Sequence, residues 1–571
     1  MSDAMTTDLY EVTMAMSYLR EGMTGPATFS LFVRDLPPQR GFLVAAGLES
    51  ALDYLSGLHV GREDVDAFAS ALHRPPRDLR ALLGLEFTGD VRAVPEGRIV
   101  LAGEPLLEVT APLPQAQLAE TYVLNQLNHQ TALASKAARC VLAAAGHPVV
   151  DFSLRRAHGT QSGFQAARLG AMVGFAGTSN VAAATATGIP AVGTMAHSFV
   201  EAFATEEGAF RAFARSHPGP VTLLVDTYDT EEGVRVAARV LRDLDRGPGS
   251  AVRLDSGDLG ALAARARAVL DGAGLPDVRI IASGGLDEYA VDDLVRSGAP
   301  IDTYAVGTRV GVSADAPFLD SAYKMVEYEG RPVMKLSSAK VTAPGPKQVF
   351  RRSGYADVIG LADEQPPDGS GSLLETVMRN GRRTGDGPTL DECRARFTAD
   401  LEGLPTAARR MRKPDPPHAT TSERLRALTA GVRRRIDEGA SGPRPTATGR
   451  RTKRARITSV HAEVRRRAMP HTAEWKVRLH LFEGDERTTK ARVVLDTGTT
   501  TLTGQGAAHC NPADMNVPEI GDELAASRAM NDLAQKLLNV AERDIEGLGV
   551  SRSGHWTAHV NAGTGGKEEQ P

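Results

Sequence analysis

The chain has 571 residues, 42% apolar and 24% charged, with 66 Lys and Arg against 70 Asp and Glu for a net charge of -4. That length exceeds one ordinary core and implies two or three domains, and the mild charge gives no support to a polyanionic partner. The three cysteines, Cys140, Cys393 and Cys510, lie far apart, which excludes a CxxC zinc pattern and argues against a disulfide framework. The start, Met1-Ser2-Asp3-Ala4-Met5-Thr6, lacks the basic and apolar regions of a secretory signal. The small-residue run Val181 to Val192 is broken by Thr, Gly and Pro and cannot span a bilayer, so a cytoplasmic protein without membrane partners is expected.

In chain order, Thr28 to Val33 and Arg98 to Thr110 read as strands of a mixed N-terminal part. From Gln115 to Ala145 the apolar residues Leu118, Tyr122, Leu124, Leu127, Leu133, Ala137 and Val141 recur at helical spacing, giving one long helix or a broken pair. An alternation follows. Val149 to Ser153, Ile189 to Met195, Val221 to Val225, Ala251 to Leu254, Val278 to Ala282 and Thr303 to Val306 read as buried strands. The stretches between them are helical, with starts such as Asp229-Thr230-Glu231-Glu232 and Ser256-Gly257-Asp258. This pattern predicts a parallel sheet with right-handed crossovers, curled into an incomplete or atypical α/β barrel.

Beyond Val349 the pattern weakens through a Pro/Gly/acidic loop at Asp363 to Ser372 and a Pro- and Arg-rich stretch at Arg409 to His418. An amphipathic helix with Leu425, Leu428, Val432 and Ile436 inward closes the large unit. The expected organisation is a unit over 1–438, divided into an N-terminal α+β part (1–114), the barrel (115–345) and a returning segment (346–438). A Gly/Ser/Pro/Thr linker spans 439–455, a separate small β-β-β-α domain 456–550, and a tail 551–571. The small domain is read from the alternation over Trp475 to Leu481, then Ala491 to Leu495, Thr499 to Gly504 and a helix from about Ile520 to Ile545.

Four loop motifs follow strand-like runs: Asp151-Phe152-Ser153-Leu154-Arg155-Arg156-Ala157-His158, Gly193-Thr194-Met195-Ala196-His197-Ser198, Arg253-Leu254-Asp255-Ser256-Gly257-Asp258 and Gly307-Thr308-Arg309. Each puts polar groups at the carboxyl end of a parallel sheet, where α/β folds build their sites. Cations, a carboxylate and bare amides together suit a substrate carrying several phosphates. Arg155 and Arg156 offer forked donors to phosphate, but they fit neighbouring acids equally well. His197 at a tight turn into a helix is either structural or a nucleophile facing phosphate. Asp255 and Asp258 can cap the next helix, and capping is the better reading of Asp258. Gly307-Thr308 is an ordinary turn or an anion nest. There is no Walker loop and no GxGxxG. Val225-Asp226-Thr227-Tyr228-Asp229-Thr230 is superficially like a type I phosphoribosyltransferase loop, but no Thr-Gly-Gly-Thr follows.

Taken with Thr7-Asp8-Leu9-Tyr10-Glu11-Val12-Thr13-Met14, Arg40-Gly41-Phe42, Gln115-Ala116-Gln117-Leu118-Ala119-Glu120-Thr121 and Lys347-Gln348-Val349-Phe350-Arg351, these motifs resemble the nicotinate phosphoribosyltransferases, type II phosphoribosyltransferases, over about residues 5 to 438. The resemblance implies transfer of a phosphoribosyl group from phosphoribosyl pyrophosphate to nicotinate for NAD salvage. It also implies Mg²⁺ and coupling to ATP hydrolysis through a phosphohistidine at His197. Catalytic roles fall on His197, Arg155, Asp226 and Asp255. Arg155 would hold diphosphate or 5-phosphate oxygens, Gly307 and Thr308 would seat a phosphate, and Asp226 would lie beside ribose and metal. Phe152 would stack on the pyridine, with Tyr10 of a second subunit closing the other face of a site shared within a homodimer. Arg253 and Asp255 would meet the polar edge of the ring, and Ser198 joins the substrate-binding set.

Ser179, in Gly177-Thr178-Ser179-Asn180, stands at the position that separates acid from amide users in the family, or it merely caps the helix that follows. Ser153, Ala176 and Gly285 depart from the family pattern. Same-fold alternatives are the nicotinamide-specific and quinolinate enzymes. An alternative of a different class is a silent regulatory or RNA-binding protein, against which Arg155, His197 and Asp255 argue. The last domain resembles a small actinobacterial domain of unknown function, and its shape is similar to double-stranded RNA-binding modules. Its acid-rich body speaks against nucleic acid and for a regulatory or oligomerising module.

Overall fold

A computed structural model describes residues 3–336, 342–367, 369–441, 476–483, 488–496, 501–509 and 518–547. The chain divides into two compact units at Pro445/Thr446. Most of the expected linker, the tail from residue 551, Trp475 and Cys510 lie outside the described residues.

In the first unit, helix α1 (Leu9–Arg20) precedes strands β1 (Pro26–Val33), β2 (Asp90–Ala93) and β3 (Pro105–Pro112). These join Ser321–Tyr328, Arg331–Pro332, Glu375–Arg379 and Arg382–Arg383 in one seven-stranded sheet. The strand expected over Arg98 to Thr110 is broken: Ile99–Val100 pairs elsewhere, and β3 begins only at Pro105. Leu101 N–H donates to Glu104, turning the chain between the two pieces. The helical run is a pair, Leu113–Leu118 and α2 (Glu120–Ala143).

A six-stranded parallel sheet follows, made of β4 (Val149–Asp151), β5 (Gly177–Thr178), β6 (Thr222–Leu224), β7 (Ala251–Leu254), β8 (Arg279–Ala282) and β9 (Thr303–Val306). Its order is β5-β4-β9-β8-β7-β6, a half-barrel. The connecting helices are α3 (Thr160–Met172), α4 (Val181–Thr187), α5 (His197–Glu201), α6 (Glu206–Ser216), α7 (Thr230–Asp243), α8 (Leu259–Gly272) and α9 (Glu288–Arg296), with α10 (Thr308–Gly311) after β9.

One predicted strand fails. Ile189 to Met195 makes only a single parallel bridge, Ala191 to Thr178, because the partner β5 is itself two residues long and Pro190 brings no N–H. The strand at Gly177–Thr178 was not expected, since two small residues carry no apolar alternation. The half-barrel is tied to the N-terminal part through buried charge. Glu288 accepts from Lys136 (2.5 Å) and Arg139 (3.1 Å), and Asp315 takes Arg40 (2.9 Å). Breaking such a pair would strand an uncompensated charge.

In the returning segment, helix α11 (Leu390–Gly403) was not anticipated, although Thr389 and Glu392 form a capping box. Helix α12 (Glu423–Ser441) buries Leu425 and Val432, but Ile436 is exposed rather than inward. The second unit pairs β10 (Lys476–Glu483), β11 (Thr488–Asp496) and β12 (Thr501–His509) antiparallel, with α13 (Pro518–Gly547) packed on them. That is the β-β-β-α order read from the sequence. Among the described residues, no helix is long and apolar enough to cross a membrane.

Candidate active site

Parallel neighbours put the strand ends in register, so residues just past them meet. Asp226, after β6, accepts at Oδ2 from Asp255 N–H (2.9 Å) and Ser256 Oγ (2.7 Å), both after β7. Its other oxygen, Oδ1, is buried with no hydrogen-bond partner. Asp255 in turn accepts from Ser283 Oγ (2.5 Å) after β8. Gly284 is required here: its φ is +92°, and a Cβ would lie 1.7 Å from Asp255 O. Three adjacent strands thus pass a hydrogen-bonded chain of carboxylates along their ends.

Arg253 points the other way. Nη1 donates to Thr194 Oγ1 (2.5 Å), Nη2 lies 4.0 Å from Asp255, and the guanidinium sits 6.0 Å from the Phe152 ring centroid. Its Nε is buried without a partner. Burial disfavours the charged guanidinium and nearby Arg155 opposes it further, against the pull of Asp255 and Asp226. A half-buried cation with a spare, buried donor is a site for an anion.

His197 opens α5, half-buried, with Nδ1 3.2 Å from Thr227 Oγ1. Thr227 adjoins Asp226, so the His197 loop closes over the β6 end. In the tautomer that donates Nδ1–H to Thr227, the Nε2 lone pair is left for chemistry. Ser198 beside it is exposed.

Arg155 and Arg156 sit exposed on a single helical turn, Leu154–Arg156, and neither makes an ion pair among the described residues. Gly307 adjoins Phe152, where a Cβ would come 3.1 Å from Phe152 O, and Thr308 begins α10. Arg309 is held by Asp287 (2.5 Å), which also caps α9. Asp258 caps α8 by accepting from Ala261 N–H.

Ser179 is exposed and is not the cap of α4; Asn180 is, accepting from Ala183 N–H (3.2 Å). The Ser179 N–H is held by Asp151 O (2.8 Å), and Thr178 Oγ1 donates to Asp151 (2.6 Å). Ser153 is buried with an unpartnered Oγ and fills the space left by Gly311, whose Cβ would lie 2.5 Å from its own. Gly285 has φ +68° and open space around it, and Ala176 is exposed.

Phe152, Arg253, Asp255, Asp226 and His197 are therefore linked through direct contacts or one intervening residue. Tyr10 is not among them: it lies on α1, 46% exposed, beside Glu11 and Glu120. The linking residues Thr194, Thr227, Ser256 and Ser283 were not singled out. Thr227, Ser256 and Ser283 are hydroxyls just past strand ends and Thr194 lies in a loop, a weak signal until a partner is known.

Family models match three stretches of the first unit. They are a nicotinate phosphoribosyltransferase N-terminal domain over residues 5–128, the nicotinate phosphoribosyltransferase family over 148–299, and its C-terminal domain over 370–429. A model described as Rv2632c-like matches 473–554. A Mycobacterium tuberculosis protein named nicotinate phosphoribosyltransferase pncB2 is 47% identical over 414 residues, 72% of this chain and 89% of its own. Nicotinate phosphoribosyltransferase of Bacillus subtilis is 40% identical over 377 residues, 63% of this chain and 77% of its own. The crystal structure of human nicotinic acid phosphoribosyltransferase superposes with a TM-score of 0.66 at 30% identity, covering 75% of this chain and all of that one.

Proposed function

The chain belongs to the nicotinate phosphoribosyltransferase family, and we propose that it joins nicotinate to the ribose of phosphoribosyl pyrophosphate, releasing pyrophosphate, with ATP hydrolysis coupled through a phosphohistidine at His197. The observation that carries the reading is the pairing of Arg253 and Phe152. A half-buried aromatic face lies beside a half-buried guanidinium whose Nε donor is buried and unmet. This suits an anionic, planar ring such as a pyridine carboxylate. Arg253 would meet the carboxylate and Phe152 the ring face.

The transition state is oxocarbenium-like, so catalysis rests on aligning the ring nitrogen with C1 and stabilising the departing pyrophosphate. Asp226, fixed at Oδ2 by Asp255 and Ser256, keeps Oδ1 free for a ribose hydroxyl or a cation. Arg155, free of ion pairs among the described residues, would take phosphate oxygens, with Gly307 and Thr308 seating another phosphate. Among the described residues no three His, Cys, Asp or Glu side chains converge as a metal cage. Mg²⁺ fits this site through Asp226 Oδ1 and the substrate's own phosphates, its usual mode, and would neutralise the leaving group.

His197 Nε2 would accept the ATP γ-phosphoryl group while Thr227 holds Nδ1. Tyr10, exposed on α1, would cover the ring in a partner's site, making the enzyme a homodimer. Residues 1–438 hold every group named here, and a cytoplasmic enzyme fits the reading. The test is product formation from phosphoribosyl pyrophosphate and Mg²⁺ with nicotinate, nicotinamide or quinolinate, with and without ATP. Turnover of nicotinamide or quinolinate in preference to nicotinate would overturn the substrate. ATP-independent turnover at full rate would overturn the coupling.

A further inference from the structure

The two edges of the second unit's sheet are treated differently. At β12 the outward backbone groups are met by side chains of α13. Arg528 donates to Ala507 O (2.6 Å), Lys536 donates to Thr503 O (3.0 Å), and Asp532 accepts from Gln505 N–H (2.8 Å). Residues 503, 505 and 507 alternate along the strand, so one face of its ladder is closed to any further strand.

The helix is drawn to that side by Gly504 and Gly506. A Cβ on either would lie 2.1 Å from Ala529 O and 2.3 Å from Ala525 O, so helix and strand backbones touch only because these residues are glycine. The cost falls on the other edge. Val477, Leu479 and Leu481 of β10 stand opposite Leu495, Val493 and Ala491 of β11, which are buried under α13. They share that face, yet they stay 60%, 46% and 43% exposed because the helix packs mainly on β12 and β11. Among the described residues, no strand pairs with the outer edge of β10.

We infer that a second copy of this chain pairs with β10, edge to edge and antiparallel, about a two-fold axis through Leu479, making one six-stranded sheet from two copies. Side chains alternate with period 2, so a two-fold normal to the sheet keeps the apolar set on one face only if paired residue numbers sum to an even value. The axis through Leu479 meets that condition. It sets Leu479 against Leu479 and Val477 against Leu481 twice, giving an unbroken apolar ladder on the helix side. The strand is its own complement in length and pattern, whereas another partner would have to supply both. One added strand covers less than the ~800 Å² per partner of a standard stable interface, so the contact is read best by trapping it.

The test uses the full-length chain with Cys510→Ser, since Cys140 and Cys393 are buried. Paired Leu479 positions would be ~5 Å apart at Cα, within disulfide reach. The two Val477 positions would be ~14 Å apart, out of reach. Under mild oxidant Leu479→Cys should therefore cross-link at least about tenfold faster than Val477→Cys, while a mixture of Val477→Cys and Leu481→Cys chains should cross-link readily. Adding Leu481→Lys to the Leu479→Cys chain should abolish the cross-link, with transferase activity unchanged throughout. Equal, slow reaction at 479 and 477 would overturn the proposal and give the edge to another segment or partner. Fast reaction at His480→Cys instead, or a cross-link indifferent to Leu481→Lys, would overturn it too. Loss of transferase activity in the parent chain bears on the proposed function alone.

Discussion

The guanidinium of Arg253 lies 6.0 Å from the ring centre of Phe152, although two strands, β8 and β9, separate β7 from β4. Three inter-strand steps of ~4.8 Å would hold them far apart on a flat sheet, so the contact measures the curl of the half-barrel. If Arg253 binds the nicotinate carboxylate, Arg253→Ala removes a charge-assisted bond worth about 1.5–3 kcal/mol. Nicotinate kcat/KM should fall about tenfold to a hundredfold, mostly through KM. An unchanged KM for nicotinate would take Arg253 off the carboxylate.

His197→Ala should abolish both nicotinate-stimulated ATP hydrolysis and acid-labile labelling from γ-labelled ATP, while slow ATP-independent transfer survives because the ring contacts lie elsewhere. Thr227→Val keeps the shape but loses the hydroxyl at Nδ1 (3.2 Å) and should weaken the labelling without changing nicotinate KM. Normal labelling of the alanine variant would exclude His197 as the phosphoryl carrier.

Asn180 caps α4, so Ser179 is free to serve specificity. Ser179→Asp should leave thermal stability close to that of the parent. A like charge about 4 Å from the nicotinate carboxylate costs on the order of 4 kcal/mol at an effective dielectric near 20, about a thousandfold in relative kcat/KM. Unchanged nicotinate turnover in the folded variant would show that Ser179 does not face the substrate.

Tyr10 is exposed on its own chain, with Glu11 and Glu120 as its charged neighbours. If it completes a partner's site, mixing Tyr10→Ala chains with Arg155→Ala chains should restore part of the activity that each lacks. A fully active monomer in sedimentation would refute the shared site.

Glu11, a wholly buried residue of α1, accepts from Thr121 N–H (2.9 Å), and burial raises its pKa to about 7 despite that bond and those from the Thr121 and Thr7 side chains. Unfolded Glu titrates near 4.3, so the folded state keeps a proton that the unfolded chain has lost. This contribution is complete below about pH 4.5 and is lost as pH rises through about 7. It amounts to on the order of 3–4 kcal/mol. Glu11→Gln should remove that slope, measured by urea unfolding at pH 5 and pH 8. The same slope in the variant would assign it to another group.

Much of this was legible early because strand and helix periods, and the polar residues that end them, are local. Ala251–Leu254 and Thr303–Val306 form strands over the expected residues, and Asp229 and Asp258 cap the helices they open. Ile189 to Met195 misled because an apolar run becomes a strand only if a neighbour offers a long enough ladder, and β5 offers two residues. Ile436 fits the helical period yet stays exposed, since the period gives a face but not what covers it.

By itself, then, the sequence determined which residues end each strand, and hence that Arg, His and Asp chemistry gathers at one end of a parallel sheet. Only the tertiary structure decided which of them meet. Curvature joins Phe152 to Arg253, strand register leaves one oxygen of Asp226 free, and loop closure gives His197 its partner Thr227. In the second unit, two glycines draw the helix aside and bare the edge of β10. These are contacts between segments far apart in the chain, and no local pattern encodes their distances.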